Sequence, residues 1–130
     1  MSALKEKAIA LLGSVAAVNL NAVAFTALYT VPPGKKCLVD HAKIRTLSAN
    51  ATSAVATFGQ TAAKTDFVGA QTLSNLSAAG KAGKIQPVPN ATTPAIVEYA
   101  AGEIFGIDVT TAAGIACTAT VEVFGHLWSV

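Results

Sequence analysis

The side chains best suited to chemistry in this sequence include two histidines, each within a segment whose pattern predicts a β-strand. His41 directly follows Asp40, and a histidine beside a carboxylate is typical of acid–base or metal sites. Neighbouring residues of a regular strand point to opposite faces, however, so the pattern does not favour a joint role. His126 is far away in sequence. These residues therefore predict no catalytic pair.

Three further carboxylates lie on three predicted strands, and together they could form a calcium or glycosidase site. They are Glu98, Asp108 and Glu122. They are explained more simply as isolated acidic residues that point outward from solvent-exposed strand faces. The stretch "GKAGK" (80–84) lacks the glycine spacing and the following Ser or Thr of a phosphate-binding loop. We therefore expect a non-enzyme without metal or cofactor, in which Lys81 and Lys84 form a basic loop.

The two cysteines, Cys37 and Cys117, are predicted to be small buried thiols. A disulfide between them would require their strands to be neighbours, which the sequence does not establish.

The composition indicates a subunit of an assembly. The 130 residues are 52% hydrophobic and only 12% charged, whereas an ordinary domain carries about 25% charged residues. Much of the apolar content is alanine, which buries little area per residue. We therefore expect the chain to complete its burial as a homo-oligomer.

Charge is unevenly distributed along the chain. Residues 1–84 hold all nine Lys and Arg against three acids, a balance of +6, and residues 85–130 hold four acids and no base. Folding either mixes these segments or leaves complementary poles that orient subunits. No basic run exceeds two residues, which speaks against nucleic acid. The apolar run 8–18 is too short to span a membrane.

Residues 1–20 are predicted to form an N-terminal arm or short helix, capped by Ser2. This segment either docks on a neighbouring subunit or packs on its own domain. Its candidate partner-binding residues are Leu4, Ile9, Leu11 and Leu12, and Lys81 and Lys84 are added from the basic loop.

A period-two alternation of apolar residues begins after Asn21 and predicts one antiparallel β-sandwich or jelly roll of at least six strands over residues 21–130, with residues 60–93 as its least regular part. The segments "AIVEYA" and "IFGIDVTT" are predicted to form a strand pair. In "CTATVEVFGHLW" one face should carry Cys117, Ala119, Val121 and Val123. A long exposed loop is predicted over residues 77–94.

The corner "LYTVPPGK" (28–35), the turn Ala101-Gly102-Glu103 and the closing segment "TATVEVFG" (118–125) resemble small β-sandwich virion proteins of tailed bacteriophages. The likeness covers residues 24–125 and implies a head decoration (cement) protein, or alternatively a neck, tail or fibre component. It also implies a trimer that binds major capsid protein or other virion proteins, made in the host cytoplasm and located in the virion.

A carbohydrate-binding β-sandwich module is the hypothesis from another class. Such modules generally present exposed aromatic platforms, and this chain has only five Phe, two Tyr and one Trp to provide them.

Overall fold

The computed structural model describes residues 8–87 and 97–130, and these contain nine β-strands and no helix. The predicted β-sandwich is confirmed. The strands are β1 (Ala10–Asn19), β2 (Phe25–Thr30), β3 (Lys35–Arg45), β4 (Val55–Gln60), β5 (Ala63–Thr72), β6 (Gly83–Ile85), β7 (Glu98–Ala100), β8 (Ile104–Thr111) and β9 (Thr118–Ser129).

Two antiparallel sheets pack face to face. Sheet A has five strands in the order β1-β9-β3-β6, with β7 also paired to β3, and sheet B has four in the order β2-β8-β4-β5. Alternation along β9 places Ala119, Val121 and Val123 in the core, as the sequence predicted. Burial of these inward side chains drives the association of the two sheets.

Of the arm or short helix predicted for residues 1–20, the helix is wrong for residues 10–19, which form strand β1 and pair with β9 over most of their length. Val18 and the following Leu20 are buried in the core. The small apolar residues of this segment are compatible with the period of a helix or of a strand. The open edge of β9 selects the extended form, because it satisfies backbone groups of β1.

The predicted pair of "AIVEYA" and "IFGIDVTT" is also wrong. The turn at Gly102 carries the chain from β7 in sheet A to β8 in sheet B, and β7 pairs with β3 instead. The described part of the predicted loop 77–94 is mostly exposed but includes the short strand β6. The remainder of that loop lies outside the described residues.

An aromatic cluster and one side-chain hydrogen bond connect the two sheets. Phe105 of β8 packs on the rings of Phe58, Phe67 and Tyr99, with centroids 5.3–6.4 Å apart. The Tyr99 hydroxyl of sheet A donates a 2.6 Å hydrogen bond to Asp66 of sheet B. Burial, and then this bond, raise the pKa of Tyr99, so the phenol stays protonated.

Candidate interaction surface

The outer face of sheet A carries a line of large side chains along β9. Phe124, His126 and Trp128 are spaced two residues apart and are each partly exposed. Leu11 of β1 lies opposite Phe124, and Leu11 is 52% exposed. Sequence reasoning missed this line, although continuing the β9 alternation past Glu122 would have predicted it.

A β-bulge in β3 changes how its polar residues are arranged. Val39 pairs with Gly125 and His41 pairs with Phe124, so Asp40 is the additional residue. The bulge allows Asp40 Oδ2 to lie 2.7 Å from His41 Nδ1, contrary to the expectation for a regular strand. The His41 ring stacks on Phe124 at 4.7 Å, nearly parallel. The histidine is therefore part of a packed surface cluster.

Four residues from four strands form a line across the same face, which we term the charged row. In the order of the sheet they are Ser14, Glu122, Lys43 and Lys84, each a direct cross-strand partner of the next. Lys43 and Lys84 are both exposed. Like charges directly opposite each other on neighbouring strands repel, so the outer end of this row is electrostatically unfavourable.

Arg45 forms an ion pair with Glu122, toward the other end of the row. Its Nε donates to Glu122 Oε1 at 2.8 Å and its Nη2 donates to Oε2 at 3.2 Å, which is a two-pronged ion pair. The hydrogen bond to Arg45 holds the pKa of Glu122 below its ordinary value, with the charge of Lys43 contributing less. Glu122 is therefore already engaged, and Lys84 has no acid as its cross-strand partner.

A groove lies alongside β6 at the outer edge of sheet A. Its volume is about 290 Å³, and Gln71, Thr72, Asn75 and Lys84 are among the residues that line it. In the described part of the chain, β6 pairs only with β3. Its other backbone edge, which we term the outer edge of β6, is thus available beside the groove.

The residues predicted to bind a partner are divided between the two edges of sheet A. Ile9 and Leu11 are about half exposed near the start of β1, whereas Lys84 is on β6, with β9 and β3 between them. Lys81 is exposed in the loop before β6. Leu12 packs against the core. Leu4 lies outside the described residues.

The described residues contain no group of three or more His, Cys, Asp or Glu side chains that could hold a metal ion. Glu98 and Glu122 belong to sheet A and Asp108 to sheet B, so the three candidate carboxylates do not converge. Cys37 and Cys117 are buried free thiols, as predicted. Burial raises the pKa of Cys37 to about 11, which keeps it as the unreactive thiol.

Among the described residues, folding brings basic and acidic parts of the sequence together. Arg45 pairs with Glu122, and Lys36 lies 3.9 Å from Glu98, so basic residues of the first part meet acids of the second part. In the described part of the chain, no helix is long and apolar enough to cross a membrane.

Comparison with known proteins identifies a shared fold. No model of a known protein family matches the chain, and no curated protein matches its sequence. Among solved structures, a chain of the cyanophage Pam1 capsid asymmetric unit is similar, with a TM-score of 0.55 and 17% identity. The likeness covers 91% of this chain and 84% of the other. At this identity it shows that the two chains share a β-sandwich fold.

Proposed function

We propose that the chain is a non-enzymatic structural protein of a bacteriophage virion, and specifically a decoration (cement) protein that binds and stabilises the head. The observation that carries the proposal is the fold shared with a phage capsid chain over most of both lengths. The corner at residues 28–35 and the closing strand β9 support it from the sequence side. A neck, tail or fibre position is the alternative within the same class.

Attachment is proposed to use both edges of sheet A. Ile9 and Leu11, with Leu4 before them, offer apolar side chains to major capsid protein or to a neighbouring subunit, and Lys81 and Lys84 offer positive charge. The half-exposed state of Ile9 and Leu11 supports this role, because such side chains gain from burial in an assembly.

The carbohydrate-binding alternative gains no support from the positions of the aromatic residues. Phe58, Phe67, Tyr99 and Phe105 are buried. The other four are only partly exposed, and Phe124 is already stacked on His41. A flat, open aromatic platform of the kind that sugars stack on is therefore not formed by the described residues.

Immunogold labelling tests the proposal. Antibodies raised against the purified chain are applied to virions from the host that carries this sequence, with antibody absorbed on the pure protein as control. Regular labelling of heads is expected. Labelling at the neck or tail would favour the alternative position, and particles without label would overturn the virion role.

A second measurement separates decoration from other head components. Heads stripped of the protein should release their DNA at a lower temperature than intact heads, and adding the purified chain back should restore the original temperature. A head protein whose removal disassembles the shell altogether would contradict the decoration assignment.

A further inference from the structure

The charged row has no negatively charged residue at its outer end. Glu122 and Lys43 alternate in sign, but the next position is Lys84, which faces Lys43 directly. A carboxylate on a further strand beyond β6 would restore alternation across the face. Cross-strand pairs of opposite charge stabilise a sheet, whereas directly opposed like charges destabilise it.

The outer edge of β6 provides a place for such a strand. Gly83–Ile85 pair with β3 on one side only among the described residues. The groove of about 290 Å³ beside them is lined by residues that include Gln71 and Asn75. An extended segment can bind a sheet edge through main-chain hydrogen bonds, while pockets beside the edge select its side chains.

The acid that completes the row does not come from the neighbouring segment of this chain. Residues 88–96, which follow β6, contain no Asp or Glu. Acids two residues apart on a strand point to the same face, and no two acids of the whole chain have this spacing. A second copy of the chain therefore has no strand that presents two successive carboxylates on one face, as an acidic segment of another protein can.

We propose that an acidic, extended segment of another virion protein pairs along the outer edge of β6 and places a carboxylate beside Lys84. This rests on the proposed function only for where the partner is found. A polypeptide segment fits better than nucleic acid, because the outer edge of β6 offers main-chain hydrogen-bonding groups that an extended strand can pair with.

The test uses the full chain and a fluorescein-labelled peptide that alternates Glu and Thr. Fluorescence anisotropy should show saturable binding that weakens with added salt, since exposed charges are screened. The same peptide with Gln in place of Glu should bind at least about tenfold more weakly. Equal binding of the two peptides would overturn the proposal.

Charge reversal locates the site. Lys84→Glu should lose about tenfold or more in affinity for the Glu peptide, and Lys84→Gln should lose less. The matched control is Lys64→Glu, which makes the same charge change on exposed β5 of sheet B and should leave affinity unchanged. Equal losses for Lys84→Glu and Lys64→Glu would overturn the proposal.

Lys84→Glu has an independent readout in the absence of peptide. Its melting temperature should rise, because the repulsive pair with Lys43 becomes attractive; a fall would contradict the argument from the charged row. A short DNA duplex that binds through Lys84 when the Glu peptide does not would also overturn the proposal. If antibodies label virions but the Glu peptide does not bind, this inference alone is refuted. If the Glu peptide binds but virions carry no label, the proposed function alone is refuted.

Discussion

At the scale of single residues, the close approach of β3 to β9 depends on Gly125. A Cβ at this position would clash with the carbonyl oxygen of Leu38 and would lie 3.0 Å from Cα of Val39. Gly125 pairs with Val39 next to the bulge at Asp40. The glycine therefore permits the bulged backbone that brings His41 onto Phe124.

Substituting Gly125→Ala should lower the free energy of unfolding by about 1–3 kcal/mol, because the backbones must separate. Urea unfolding followed by tryptophan fluorescence measures the change. Gly69→Ala is the control, since a Cβ there meets nothing within 4 Å, and it should be neutral or slightly stabilising. Equal behaviour of the two variants would contradict the account of the bulge.

The ion pair of Arg45 and Glu122 predicts a pH dependence. The pKa of Glu122 is lower in the folded state than its ordinary value. Its contribution to stability is therefore present above the unfolded pKa and is lost as the pH falls through the folded pKa. Glu122→Gln should be less stable than the wild type at neutral pH, and the difference should disappear in acid.

Urea midpoints measured across this pH range test the prediction. Glu98→Gln serves as the control, because its partner Lys36 lies at 3.9 Å and both side chains are well exposed. It should change stability little, as exposed pairs usually do. A pH-independent effect of Glu122→Gln would show that the ion pair is not responsible.

At the scale of elements, the sequence predicted strands well where the apolar period was strict. The alternation of β9 is reproduced in full, because every second residue from Cys117 to Val123 is buried. Small side chains gave no such constraint in β1, where the alanines are compatible with either a helix or a strand. There the choice depends on the edge of β9, a long-range partner that local periodicity does not reveal.

The candidate surface was only partly predictable for the same reason. Lys81 and Lys84 are predictable from the sequence as a basic loop, whereas the line of Phe124, His126 and Trp128 was missed. The opposition of Lys84 to Lys43 depends on the register of β6 against β3, which no short-range pattern encodes. The contact of Asp40 with His41 depends on a bulge that reverses the usual alternation of side chains.

Strand β1 predicts different outcomes for two truncations. Removing residues 2–16 deletes most of β1 and exposes the edge of β9, so the protein should unfold at a lower urea concentration or aggregate. Removing residues 2–8 leaves β1 whole and should retain the wild-type midpoint. Circular dichroism during urea titration measures both. Equal stability of the two truncated proteins would contradict the structural role of β1.

At the scale of the whole molecule, the exposed large apolar residues occur at both ends of the sandwich. Ile9 and Leu11 lie near the start of β1, whereas Val23 and Ile115 lie in the loops at the end where β1 finishes. All four are at least half exposed. Scattered apolar side chains are normal on a surface, so the two patches need a functional test to distinguish them.

We predict that the 13.1 kDa chain sediments as a trimer at micromolar concentration and that the patch near β1 contributes to assembly. The double variant Ile9→Gln, Leu11→Gln should shift the protein toward monomer, because it removes apolar area that assembly buries. The matched control, Val23→Gln with Ile115→Gln, changes two residues at the other end that are at least half exposed and should remain trimeric. Analytical ultracentrifugation distinguishes these states. If the wild-type protein stays monomeric both in solution and on heads, the predicted trimer is refuted. If only the control variant disrupts the trimer, the subunit interface lies at the opposite end of the sandwich.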